Sequence, residues 1–262
     1  MKIGVVNFLN AYPLIYGLEK NENDIFLYRD VPSKLSILLK ENKLDAALVS
    51  SIEYFRNRDI WQYHPNLCIS SSGAVESIRL FISDENKITK KNNEFLKPID
   101  TLYYDYASRS SVEMVRILLN YHFLRKNPNL VEINPPYKEK IHGLKTNECL
   151  LLIGDSALLN RDTTSIDLGK WYFDTFNLPF VYALWVYPKN SNIDKNIFNL
   201  AYETSLKEWK LLIEKAVKKF SFSKEFTEKY LKNIIQYTIN NNTLKGLDFF
   251  FEKYKEITEA CK

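Results

Sequence analysis

Short runs of aliphatic and β-branched residues alternate with stretches of helical period from the first residues onward. Residues 3–8 (IGVVNF) form a continuous apolar run, the pattern of a strand buried on both faces. Asn10 and Ala11 follow, and Pro13 opens a helix in its first turn, where a missing N–H is tolerated. Residues 25–28 predict a second strand. Ser33 reads as the N-cap of a helix over 34–42, with Leu35, Leu38 and Leu39 on one face. Residues 45–50 (DAALVS) predict a third strand running directly into a short helix through Tyr54. Two more strands, 67–70 and 77–82, flank the small-residue turn Ser71-Ser72-Gly73.

A polar segment, 84–97 (DENKITKKNNEFLK), interrupts the pattern and has room for a short helix. Beyond it come a strand at 101–104, a helix over 111–124, a strand at 130–133, a helix over 138–144 and a strand at 149–153. Residues 181–187 (VYALWVY) predict a last strong strand. From 193 onward the chain reads as helical, with Leu206, Trp209, Leu212, Ile213 and Val217 forming an apolar stripe. Strand–helix alternation in two blocks predicts two α/β lobes. Residues 1–98 and 181–262, with the C-terminal helices, are expected to form one lobe, and 99–180 a second. Such a layout places a ligand cleft between lobes, at strand carboxyl ends.

Composition narrows the function by exclusion. The 262 residues are 45% hydrophobic and 26% charged, an ordinary globular balance. The net charge of +4 is spread along the chain, against a nucleic-acid binder with its basic residues on one stripe. Three cysteines (68, 149, 261) without a CxxC suit a reducing compartment rather than a disulfide framework. The three histidines (64, 122, 142) show no HxxxH or HExxH, so no zinc site is expected. The seven glycines form neither GxGxxG nor GxxxxGK[ST], and GxSxG is absent, which argues against dinucleotide, P-loop and hydrolase-elbow chemistry. No cofactor is expected. Asn7, Asn10 and Pro13 break the N-terminal apolar run, and no run of 18 uncharged apolar residues occurs, so the chain reads as cytoplasmic, without a membrane partner.

Polar residues gather where the predicted strands end: Asn10, Ser50 and Ser51, Ser70 to Ser72, Ser77, Asp105 to Ser111, and Asp155. Each alone is as readily a loop residue or helix cap; recurrence after separate strands is what makes a group of them. The sharpest segment is Ser108-Arg109-Ser110-Ser111, where hydroxyls and free N–H groups at a helix start form an anion site and Arg109 can add a guanidinium fork. An ordinary capped helix with Arg109 in solvent is the competing reading. Without a glycine-rich loop, a small carboxylate suits the pocket better than a polyphosphate. Phe249-Phe250-Phe251 reads as a helix buried between layers, and His122 and His142 as structural or exposed.

Six strings in order, VVNFLNAYPLIYGL (5–18), VPSKLSILLKENKLDAALVSSIEY (31–54), LCISSSGAVESIRLF (67–81), SRSSVEMVRILL (108–119), LLIGDSALL (151–159) and DLG…W…LPFVYALWV (167–186), resemble chorismate dehydratases, the MqnA family of the futalosine route to menaquinone. The resemblance implies a type II periplasmic-binding-protein-like α/β fold, two lobes around a central cleft. It also implies the loss of water from chorismate to give 3-[(1-carboxyvinyl)oxy]benzoate. No His or Glu stands at a family position as an evident base, which suits a substrate-assisted elimination using the enolpyruvyl carboxylate.

By the same resemblance Asn10 holds the departing hydroxyl, and Ser77, closing the G-x-V-x-S string that starts at Gly73, orients substrate. Ser50 holds a carboxylate, and Ser108, Arg109, Ser110 and Ser111 take the other. Ser72 and Gly73 line the site, and Asp155 binds there or caps its helix. Ala74 stands where the family commonly has proline, and Asp105-Tyr106-Ala107 where it has smaller residues. Two other readings share the fold: the sister enzyme forming 1,4-dihydroxy-6-naphthoate, with a larger substrate, and a non-catalytic binding protein for a small carboxylate.

Overall fold

The computed structural model describes residues 1–20, 25–85, 99–123, 128–161 and 163–259. It divides into two compact units, one comprising 1–72 and 178–248, the other 73–177 and 249–262.

In the first unit β1 (Lys2–Val5) leads through a 3-10 turn, Leu9–Ala11, into α1 (Tyr12–Glu19), whose second residue is Pro13. β2 (Phe26–Arg29), α2 (Pro32–Lys40), β3 (Ala46–Ser50) and α3 (Ser51–Arg56) complete the parallel half. β3 is buried along its whole length, as its AALVS run requires. Ser33 is not the cap of α2. Pro32 occupies the first helical position with Val31 extended before it, because proline's fixed φ already suits a helix start. β4 (Trp61–Ser71) begins before residue 67, carrying Trp61 and His64 inward.

The second unit holds β5 (Ile78–Ile82), β6 (Thr101–Asp105), α4 (Ser110–Phe123), β7 (Asn129–Ile133), α5 (Lys138–His142), β8 (Glu148–Ile153), α6 (Gly154–Leu159), β9 (Ser165–Asp167) and α7 (Leu168–Phe176). The chain then returns to the first with β10 (Phe180–Pro188), α8 (Asn196–Lys207), α9 (Trp209–Phe220), α10 (Lys224–Lys229) and β11 (Gln236–Thr238). α11 (Asn241–Glu259) has its first residues in the first unit and its last in the second. The region after 193 is therefore not wholly helical: β11 pairs with β4, Gln236 opposite Ser70. β5 pairs with β8 and β9, so 73–85 belong to the second unit, although their order along the chain suggests the first. The helix expected within 84–97 falls on 86–98, outside the described residues.

The first sheet has the order β11-β4-β10-β3-β1-β2 and the second β7-β6-β8-β5-β9. β1 is parallel to β2 and β3, while β10 is antiparallel to β3 and β4, with Ala183 opposite Ser50 and Phe180 opposite Ser71. One edge of that sheet therefore collects the carboxyl ends of β1, β3 and β4 and the amino end of β10. In the second sheet β6 and β8 are parallel and β5 is antiparallel to β8, with Ile78 opposite Ile153. The amino end of β5 thus shares an edge with the carboxyl ends of β6 and β8. Below that edge Phe81, Tyr137, Ile141, Leu150 and Leu152 form a core cluster. Among the described residues no helix is long and apolar enough to cross a membrane.

Candidate functional site

The first unit's edge carries Asn10, Ser50 and Ser70 to Ser72. Asn10 sits half-buried in the 3-10 turn that follows β1. Ser50 ends β3 at the N-cap position of α3, and its hydroxyl is buried with no hydrogen-bond partner among the described residues. Its neighbours are engaged: Ser51 Oγ donates to the Val181 carbonyl at 2.7 Å, and Ser71 Oγ lies 2.8 Å from Tyr182 Oη. Ser70 Oγ donates to the Gln236 carbonyl (3.2 Å), and exposed Ser72 donates to Gln236 Oε1 (3.2 Å). Gln236 and Tyr182 thus join the edge although neither is a candidate in the sequence reading. Gln236 lies on a three-residue strand, too short to show a period.

The second unit's edge carries Gly73, Ser77, Ser108 to Ser111 and Asp155. Gly73 has φ +104°, a backbone that calls for glycine, while a Cβ there would meet nothing within 4 Å. Ser77 is fully buried immediately before β5, and its carbonyl accepts from Gly154 N–H at 2.7 Å. The hydroxyls of Ser77 and Ser108 are sealed and have no partner among the described residues. Ser110 and Ser111 open α4, both nearly buried. Arg109 presents its guanidinium to Glu132 of β7 (Nη1 to Oε2 3.6 Å) and donates to the Ser108 carbonyl (3.4 Å). The fork is therefore shared with a carboxylate of the protein. Asp155 stands half-buried in the first turn of α6.

Asp105 builds the approach to α4. Its carboxylate accepts from the Ala107 N–H (2.7 Å) and the Tyr137 hydroxyl (2.6 Å), and its carbonyl accepts from Ser108 N–H (2.8 Å). Burial holds its carboxyl above the usual carboxylate range, the two donors opposing that shift. Burial and the Asp105 charge together push the Tyr137 phenol up. The histidines belong to other networks. His64 is almost fully buried, accepting from Asn66 N–H at Nδ1 and donating from Nε2 to the Lys195 carbonyl, and burial lowers its pKa. His122 stacks on Trp171 and accepts from its indole N–H at 3.1 Å. Among the described residues no three His, Cys, Asp or Glu gather where a metal ion could be held.

A cavity of about 490 Å³ opens on the first unit beside α8 and β11, lined by Tyr202, Trp209, Leu231 and Tyr237 among others. Gln236, which also lines it, connects it to Ser72. None of the candidate residues lines it.

The fold is that of periplasmic binding proteins. Protein AF1704 from Archaeoglobus fulgidus superposes with a TM-score of 0.68 at 13% identity, over 99% of this chain and 97% of its own. The aliphatic sulphonate binding protein SsuA from Escherichia coli gives 0.63 at 12% identity, over 98% and 86%. A Candida albicans protein described as having the generic periplasmic binding protein fold gives 0.64 at 10%, over 98% and 90%. In sequence, a chorismate dehydratase from Thermus thermophilus is 24% identical over 211 residues, 72% of this chain and 70% of that protein. The family profile described as menaquinone biosynthesis matches residues 1–256, and the chain belongs to that family.

Proposed function

We propose that this protein is a chorismate dehydratase, a carbon–oxygen lyase that removes water from chorismate to give 3-[(1-carboxyvinyl)oxy]benzoate on the futalosine route to menaquinone. The observation that carries the reading is the chemistry of the two strand-end edges in a chain of this family. They present hydroxyl and amide groups beside Arg109 and Asp155, and three of the hydroxyls (Ser50, Ser77 and Ser108) are buried with no hydrogen-bond partner among the described residues. The sequence similarity to the Thermus thermophilus chorismate dehydratase supports the same substrate.

In this elimination the proton leaves the ring carbon bearing the enolpyruvyl ether, the C–OH bond on the neighbouring ring carbon breaks, and the new double bond completes the aromatic ring. Hydroxide and proton leave together as water, so no electrons are exchanged and no redox cofactor enters the balance. The enolpyruvyl carboxylate of the substrate takes the proton and passes it to the departing hydroxyl, which leaves as water and which Asn10 holds through its amide. Ser77 orients the ring; Ser50 holds one carboxylate. Ser108, Ser110 and Ser111 receive the other at the α4 start, where the helix dipole favours an anion. Arg109 serves there to the extent that the carboxylate competes with Glu132 for it. Holding the reacting groups in line contributes up to ~7–11 kcal/mol in favourable cases, and fixed dipoles toward developing charge add to it.

The test is purified protein with chorismate, without metal or nucleotide, followed by mass spectrometry and by ultraviolet loss of the diene. A product lighter by one water and carrying an aromatic ring supports the reading. Chorismate bound and recovered unchanged by folded protein overturns it in favour of a binding protein. Asn10→Ala is expected to abolish turnover with the fold intact, and full activity in that variant removes Asn10 from the mechanism.

A further inference from the structure

The string DLG at 167–169 has no part in the chemistry above, yet its aspartate accepts from three backbone N–H groups at the second unit's edge. Asp167 Oδ1 accepts from Lys170 N–H (3.0 Å), capping α7, and from Val75 N–H (3.1 Å). Its Oδ2 accepts from Glu76 N–H at 2.7 Å and lies 3.9 Å from the Arg79 guanidinium. Val75 and Glu76 are the residues just before Ser77. Glu76 has φ +59°, and Ser77 N–H bonds back to the Val75 carbonyl at 2.7 Å. That is a γ-turn of the strained, positive-φ hand on a residue with a full side chain. A carboxylate taking two successive N–H groups of the turn is what makes the conformation affordable.

We infer that Asp167 is a positioning residue for Ser77: it holds the 73–77 loop in the strained turn that fixes where the Ser77 hydroxyl lies. The inference rests on the proposed role of Ser77, and its readouts separate the two. The side chain does two jobs that mutation divides. Serine at 167 keeps the helix cap, since its hydroxyl is a good N-cap acceptor, but is too short to reach Val75 and Glu76 as well. Alanine loses both.

In Asp167→Ser the circular dichroism stays native while kcat on chorismate falls roughly 10- to 100-fold, KM changing much less, as expected for a displaced group near the reacting atoms. In a Ser77→Ala background the same substitution costs almost nothing further, because the residue it acts through is gone. Amide exchange in the 75–77 segment rises in Asp167→Ser whether or not chorismate is turned over. Full kcat with unchanged exchange overturns the inference; so does a double variant whose loss is the product of the two single losses. If wild-type protein leaves chorismate unchanged, the dehydratase reading falls and the exchange measurement still decides whether Asp167 holds the loop. Should the serine variant fail to fold, Asp167→Asn replaces it: the asparagine keeps the cap but turns its amide N–H₂ against Glu76 N–H, and the same outcomes apply.

Discussion

Among the described residues the hydroxyls of Ser50, Ser77 and Ser108 are buried without a partner, against the rule that buried polar groups are paired. Leaving a hydroxyl buried and unmatched costs about 1–3 kcal/mol, so replacing one with alanine removes a penalty as well as a function. Ser50→Ala is accordingly expected to unfold in urea at equal or slightly higher denaturant, by up to ~1 kcal/mol, while chorismate turnover falls at least roughly tenfold, the loss of one transition-state hydrogen bond. A variant destabilised with unchanged turnover makes Ser50 a structural residue. His64 behaves in the opposite sense. Burial lowers its folded pKa below the ordinary histidine value of 6.5, so the unfolded chain takes up a proton that the folded one refuses. Stability is thus full above pH 6.5 and falls as the pH drops toward the folded value. Melting temperatures at pH 7.5 and pH 5.5 check this; the drop is expected to shrink in His64→Gln.

Among the elements, those with a continuous apolar run were legible in the sequence. β3 is buried at every position, β1 at all but Lys2 and β10 at all but Ala183 and Pro188, so burial on both faces wrote itself into the apolar runs. What escaped was decided elsewhere. β11 has three residues and exists because β4 offers it a partner. The start of α2 went to Pro32 rather than to Ser33. The Arg109–Glu132 contact joins residues on different elements, which no local pattern announces. Helix packing supplies a sharper test. α1 crosses α8 at Gly17, where a Cβ would stand 2.2 Å from the Ala201 carbonyl oxygen. Helix propensity alone favours alanine over glycine by about 1 kcal/mol. The clash involves backbone and cannot be relieved by rotating a side chain, so overpacking wins. Gly17→Ala is expected to lose about 1–3 kcal/mol, read from urea unfolding, and a stabilised variant would show that the two helices separate freely.

At the scale of the whole molecule, strand–helix alternation correctly announced an α/β chain, and the resemblance rather than periodicity supplied the periplasmic-binding-protein fold and the candidate residues. The placement of 73–85 with the second sheet was hidden because strand pairing is not written in a strand's own pattern. The chain passes between units at 72/73, 177/178 and 248/249, so the second unit draws on residues 176 positions apart in sequence, from 73 to 249. Each unit also buries one cysteine in its sheet, Cys68 in β4 and Cys149 in β8. Burial pushes the Cys68 thiol up to about 11 and raises Cys149 as well. At pH 8 only about one Cys68 in a thousand is a thiolate even before access is considered, so each thiol reports the opening of its own unit. In the Cys261→Ser protein neither is expected to react with a thiol reagent until denaturant is added. A chain ending after Asp248 loses Phe249, which packs on Phe176 at 5.0 Å, together with buried Phe250, Phe251 and Ile257. All four belong to the second unit, while β4, β10 and β11 remain whole. In that truncated chain Cys149 is expected to label first, identified by the mass of its peptide, with Cys68 still protected. Simultaneous labelling of both, or Cys68 first, would show that the C-terminal half of α11 stabilises the two units as one.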